Sequence, residues 1–192
     1  MEEALIIVII FVSTVSSMAL AAMILSRRSR QKWQKLADEL GLAFEGGRYL
    51  FRDSKIRGLY RKRSVLFRIY MESRTLYTQL TLNFENTKNV SLFIYYKKTF
   101  DKVGKLLGGE IKFEENPEFD SKITVRGSDK DLIKAVIDQS IQDRILGLDK
   151  FDILRIKEEK AYFREVGIIT DTERLKTVIG LVSDIVDGIE ED

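Results

Sequence analysis

Four carboxylates within seven positions, Glu114, Glu115, Glu118 and Asp120, come nearest in type and spacing to a hard-cation site. Carboxylate oxygens suit such a cation, but the alternate-position ligands and central glycine of a calcium loop are missing. A solvated charged loop is therefore expected, and no metal is assigned. The segment "GKLLGG" at 104–109 has the glycines and lysine of a phosphate loop. It lacks the upstream glycine at the required spacing and a Ser or Thr after Lys105, so it reads as a loop around a short helix.

The 192 residues include no histidine and no cysteine. Disulfides, thiolate nucleophiles, zinc sites of the Cys/His type and an imidazole base are thereby excluded, and with them a Ser-His-Asp hydrolase. The leading expectation is a non-enzymatic interaction or accessory module with no cofactor. The alternative is an enzyme or ligand-binding domain that uses carboxylates on a membrane-associated substrate.

Cations are the other chemical resource. Residues 26–74 hold 14 Lys/Arg against 5 Asp/Glu, whereas residues 110–192 hold 13 against 21. The basic part has two pieces. One is a collar, Arg27, Arg28, Arg30, Lys32 and Lys35; the other is a strand pair carrying Arg48, Arg52, Lys55, Arg57, Arg61, Lys62, Arg63 and Arg68. Near anionic headgroups each cation contributes on the order of 1 kcal/mol. The collar together with Arg57, Arg61, Lys62 and Arg63 is thus the candidate membrane-surface site, with solvent-facing, edge-protecting charges as the plainer reading. Tyr60, Phe67 and Tyr70 lie among these cations, and aromatics can stack on bases. Because strand alternation buries Leu66 or Phe67, nucleic acid ranks well behind.

The elements that position these residues begin with an apolar run. Ala4 to Leu25 gives 22 uncharged residues, enough at about 1.5 Å each to cross about 30 Å of hydrocarbon. The "MEE" start argues against a cleaved signal. The reading is a single transmembrane anchor over 1–25 and a basic juxtamembrane helix over 26–40. The cations behind the run place the N-terminus outside and a domain, 41–192, in the cytoplasm. Ser13, Ser17 and Ala21 form a small-residue ridge for packing against a second copy or another membrane protein.

Trp33, Leu36, Ala37 and Leu40 then follow helical spacing, with Gly41 placed to end the helix. "RYLFR", "KIRGLYRKRSVLFRIYM", "TLYTQLTLNFE" and "VSLFIYYKK" alternate like strands of a meander. A strand at Ser121–Val125 is expected, then one helix capped at Ser128 and running to about Leu148. A hairpin turning near Glu158–Lys160 and a last helix capped by Asp171 or Thr172 complete the chain. Segregated strands and about three helices indicate α+β with a mainly antiparallel sheet.

Phe119 and Asp120, Val125, Asp129 and the helix through Ile145 and Leu146, within Asn116–Leu148, resemble a segment of an uncharacterised family of bacterial and archaeal membrane-anchored proteins. "WQKLADELGLAF" at 33–44 is similar to the opening of such domains. The resemblance implies a membrane-anchored α+β architecture and no assigned activity.

Overall fold

The computed structural model describes residues 2–47, 53–97 and 109–191, with side chains of the first helix described at 12–18, 20, 21, 23, 24 and from 26 onward. The "RYLFR" strand with Arg48 and Arg52, and the Val103–Leu107 piece of the glycine-rich loop, lie outside the described residues.

The first helix, α1, runs without a break over Glu2–Leu40. Gly41, at φ +65°, closes it: Leu42 N–H reaches back to the Ala37 carbonyl at 2.7 Å. A left-handed residue at this point is easiest for glycine. Trp33, Leu36 and Ala37 are fully buried and dock α1 on the domain. Upstream, Val12, Val15, Met18, Leu20, Met23 and Ile24 stay exposed.

Among the described residues no helix is long and apolar enough to cross a membrane. The transmembrane anchor, the single-pass N-outside topology and the membrane placement that depended on them are thereby overturned. The apolar run is diluted by Ser13, Thr14, Ser16 and Ser17, and the same helix continues into the charged stretch that docks on the domain. Ser13, Ser17 and Ala21 do share an exposed ridge, but Ser17 Oγ donates to the Ser13 carbonyl at 2.8 Å along the helix.

After α1 come β1 (Ala43–Glu45), β2 (Lys55–Tyr60), β3 (Arg63–Glu72), β4 (Thr75–Asn83), β5 (Leu92–Tyr96), β6 (Glu110–Ile111), α2 (Pro117–Lys122) and β7 (Ile123–Gly127). They are followed by α3 (Lys130–Val136), α4 (Gln139–Gly147), β8 (Ile153–Lys157), β9 (Lys160–Val166) and α5 (Thr172–Glu191). Among the described residues the strands form one antiparallel nine-stranded sheet in the order β1-β2-β3-β4-β9-β8-β5-β7-β6. The α+β reading holds, and β2, β3 and β4 follow the expected meander, whereas β1 at Ala43–Glu45 was not expected as a strand. The C-terminal β8–β9 hairpin then inserts between β4 and β5, joining the meander to the β5-β7-β6 group.

Five helices stand among the described residues in place of about three. The helix expected from Ser128 to Leu148 is two helices, because Asp138 caps a new one: its Oδ1 accepts from Ile141 N–H at 2.8 Å. Buried Gln142 takes the Ile137 carbonyl at 2.9 Å, satisfying the end of α3. Asp129 rather than Ser128 caps α3. The unexpected α2 starts where Asn116 Oδ1 accepts from Phe119 N–H and Pro117 fills the first turn. At the other end of the chain Asp171 caps α5, accepting from Glu173 N–H at 3.0 Å.

Alternation along the strands explains the layers. Val65, Phe67, Ile69, Leu80, Leu82, Leu154, Ile156 and Phe163 are buried on one face beneath Leu175, Val178, Ile179, Val182, Ile185 and Val186 of α5. All five helices gather on this side; among the described residues the opposite face carries none. Gly127 shows how tight the covered side is: an added Cβ would lie 2.5 Å from the Ser91 carbonyl oxygen, which as backbone cannot move aside.

One group on that side is out of place. Ser183 Oγ on α5 is fully buried with no hydrogen-bond partner. An unmet buried hydroxyl costs about 1–3 kcal/mol, so Ser183→Ala is expected to raise stability by about 1 kcal/mol. A denaturant midpoint that falls in this variant would contradict the assignment.

Candidate functional site

The uncovered sheet face is an ordered array because the strand register aligns it. Arg57, Leu66, Thr81, Tyr162, Arg155, Phe93, Arg126 and Glu110 are successive cross-strand partners from β2 to β6. A second row runs Lys55, Arg68, Gln79, Arg164 and Ile153. Cations and aromatics therefore alternate on one surface, although they come from distant parts of the chain.

Their contacts hold them in place. Arg68 donates to Gln79 Oε1 through Nε (3.1 Å) and an η nitrogen (2.8 Å), while Gln79 Nε2 donates to Thr81 Oγ1 at 2.8 Å. The guanidinium of Arg68 lies 4.7 Å from the Tyr70 ring centre, that of Arg155 5.1 Å from Tyr162, and that of Arg164 4.8 Å from Tyr77. Tyr70 and Tyr77 stack on each other at 5.6 Å. Arg164 also donates to Asp152 at 2.5 Å and to Glu72 at 3.2 Å. Burial opposes its charge, yet Tyr70, Tyr162 and Asp152 hold the guanidinium pKa above its ordinary value. The Tyr162 phenol is pushed up to about 12 by burial and by its hydrogen bond with Tyr70.

Two hollows open on this face. One, of about 450 Å³, is lined by Leu66, Arg68, Gln79, Thr81, Arg155, Lys157, Glu158, Lys160 and Tyr162. The other, of about 640 Å³, lies over β1, β2 and β3 beside Leu59, which is 69% exposed. They share Leu66 and Thr81 and so form one trough. Both volumes are in the range of small-ligand sites. Four cations against one carboxylate make the first hollow an anion-attracting surface.

The residues singled out from sequence are dispersed. Arg57 stands on the uncovered face, paired with Glu45 at 2.5 Å. Arg61 turns toward α5 and bonds Asp184 (2.5 Å) and Asp187 (2.8 Å); Arg63 pairs with Asp187 (2.5 Å) and Glu190. The Asp184 carboxyl feels burial, but Arg61 and Arg144 prevail and hold it below its usual value. Lys62 stays exposed at the hairpin tip. The collar lies along α1, where Arg30 donates to the Gly47 carbonyl at 2.8 Å and Lys35 pairs with Glu39 at 3.5 Å, while Arg27, Arg28 and Lys32 are exposed. The basic hairpin is thus not one free cationic patch, since two of its arginines are latched to the last helix.

The acidic cluster also separates. Glu118 pairs with Lys122 at 2.7 Å, and both Asp120 carboxylate oxygens accept from Phe113 N–H at 3.1 Å. Among the described residues no group of three or more acids is placed to hold a metal. The sheet-face residues Gln79, Arg155, Lys157, Lys160, Tyr162 and Arg164 escaped sequence reasoning. Alternation gives which face each occupies, but only the long-range β4–β9 pairing brings the β8–β9 hairpin residues beside Gln79.

No family model matches the chain, and no curated protein matches it. The crystal structure of the mycobacterial trehalose monomycolate transport factor A, TtfA, superposes with a TM-score of 0.58 at 13% identity, covering 84% of this chain and 94% of that one. The two chains share a fold. At that identity the likeness to TtfA concerns the path of the backbone, and the trough must be read from this chain's own residues.

Proposed function

We propose that this chain is a non-catalytic accessory module that binds an anionic ligand on the uncovered face of its sheet. The observation that carries this reading is the convergence of Arg68, Arg155, Lys157 and Lys160 on a hollow with Glu158 as its one acid. In favour of binding rather than catalysis, the buried carboxylates Asp152 and Glu165 are each engaged by an arginine, at 2.5 and 2.8 Å. Neither is poised as a free general base. The accessory role draws on the fold shared with TtfA, a transport factor.

An anionic lipid headgroup is one ligand of this chemistry. The sheet face suits it better than the β2–β3 hairpin tip does, because Arg61 and Arg63 are committed to α5. Inorganic pyrophosphate is a minimal probe. Calorimetric titration is expected to give saturable binding that weakens with salt, and at least tenfold weaker binding in the Arg68→Gln/Arg155→Gln variant. Equal affinity in the variant would place the anion elsewhere.

A further inference from the structure

The trough has two ends of different chemistry, and together they specify more than an anion. At the β8–β9 end Arg155 lies against the Tyr162 ring beside Lys157 and Lys160, and Arg68 leans toward them from β3, held by Gln79 on β4 and by the Tyr70 ring. Toward β2 the floor becomes apolar: Leu66 leads to Leu59, a large aliphatic side chain left 69% exposed. The stems of Lys55 and Arg57 flank that part, and such stems cover apolar groups while their charges stay in water. From β8 to β2 is four strand spacings, or about 19 Å. That is the span of an extended dodecyl chain with its headgroup.

Resting on the anion-binding reading, we infer that the ligand is a single-chain anionic amphiphile, held as a monomer with its head against Arg68 and Arg155 and its tail along Leu66 and Leu59. Charge fixes the direction, since the first hollow sets four cations against one acid, whereas beside Leu59 the second has Arg57 paired with Glu45 and Lys55 as its one further cation. A single-stranded nucleic acid fits less well. Its bases need free ring faces, whereas Tyr70 and Tyr77 stack on each other and Arg155 occupies Tyr162.

Hexyl, octyl and decyl phosphate, each below its micelle concentration, are the probes, with inorganic phosphate and decyl maltoside as controls, titrated into the full chain. Half-burial of each methylene predicts about fourfold tighter binding for every two methylenes added. Leu59→Ser, at an exposed position, and Leu66→Gln are each expected to flatten that dependence, and Leu59→Ser, which lies outside the anion hollow, should leave the affinity for pyrophosphate within twofold. If inorganic phosphate binds as tightly as decyl phosphate, the amphiphile falls and the anion site stands. If decyl maltoside matches decyl phosphate, or if both leucine variants keep the full chain-length dependence, the head or the tail lies elsewhere and the inference is overturned. If neither pyrophosphate nor any alkyl phosphate binds, both readings fail together. Tighter binding of a single-stranded oligonucleotide than of decyl phosphate, lost in Arg68→Gln/Arg155→Gln, would also overturn it.

Discussion

Trp33→Ala is expected to lower stability by about 4 kcal/mol, among the largest losses for a single side chain in this fold. Trp33 is fully buried, donates through Nε1 to the Ile169 carbonyl at 2.8 Å and meets Phe67 edge-on at 6.4 Å. Truncation therefore removes a large apolar volume, an aromatic pair and the partner of a buried carbonyl. A loss of that size lowers the melting temperature by about 8–16 °C for a domain of this length. Because Trp33, Leu36 and Ala37 fasten α1, the variant should also expose the α1 backbone downstream of Arg30 to hydrogen exchange. Trp33→Phe keeps most of the packing and is expected to lose about half as much. A melting temperature within 2 °C of the parent in Trp33→Ala would mean that α1 is not integral to the domain.

Trp33 also shows what was legible from sequence. Its spacing to Leu36, Ala37 and Leu40, with Gly41 behind, defined the docking segment, because helical periodicity and a left-handed stop are both local properties. The hairpin turn near Glu158–Lys160 was legible for the same reason. What failed was anything decided by competition. The uncharged stretch before Leu25 met the length criterion for a span, but α1 dilutes it with hydroxyls and carries on into the charged docking segment. Ser128 was a plausible cap, yet Asp129 sits one residue nearer the first turn, and Asp138 could restart a helix that periodicity alone runs straight through.

Charge gives the sharpest case. The basic first half and acidic second half suggested a dipole with a free positive surface. The fold instead brings parts of the two together: Arg61 and Arg63 meet Asp184, Asp187 and Glu190 across more than a hundred residues. The cations left without an equal weight of acid are Arg68 on β3 with Arg155, Lys157 and Lys160 on β8 and β9, and the last three come from the part of the sequence where acids are in excess. Hairpin insertion between β4 and β5 is the cause, since it places Arg155 and Tyr162 beside Thr81 and Arg68. A candidate site made by long-range pairing has no signature in local composition.

The same hairpin is pinned by Arg174, and removing that side chain should cost about 3 kcal/mol. Arg174 donates to Glu165 at 2.8 Å and to the Leu148 and Lys150 carbonyls, both at 2.6 Å, joining the first turn of α5 to β9 and to the segment after α4. The Glu165 side chain is only 6% exposed, so Arg174→Met leaves a buried carboxylate without its counter-charge. Arg174→Met/Glu165→Leu removes that orphan and is expected to be more stable than Arg174→Met alone, a sign additivity would not give. The dependence on pH follows from the same pair. Burial already pushes the Glu165 carboxyl above its usual value against the pull of Arg174 and Lys150, and losing Arg174 sends it further up. A carboxyl raised in the folded state binds a proton that the unfolded chain has released, so its contribution is greatest at low pH and is lost as pH rises toward the folded pKa. The deficit of Arg174→Met measured by urea unfolding should therefore be larger at pH 8 than at pH 5, and should lose that dependence when Glu165 is also replaced. An identical deficit at both pH values would show that Arg174 acts through the two carbonyls alone.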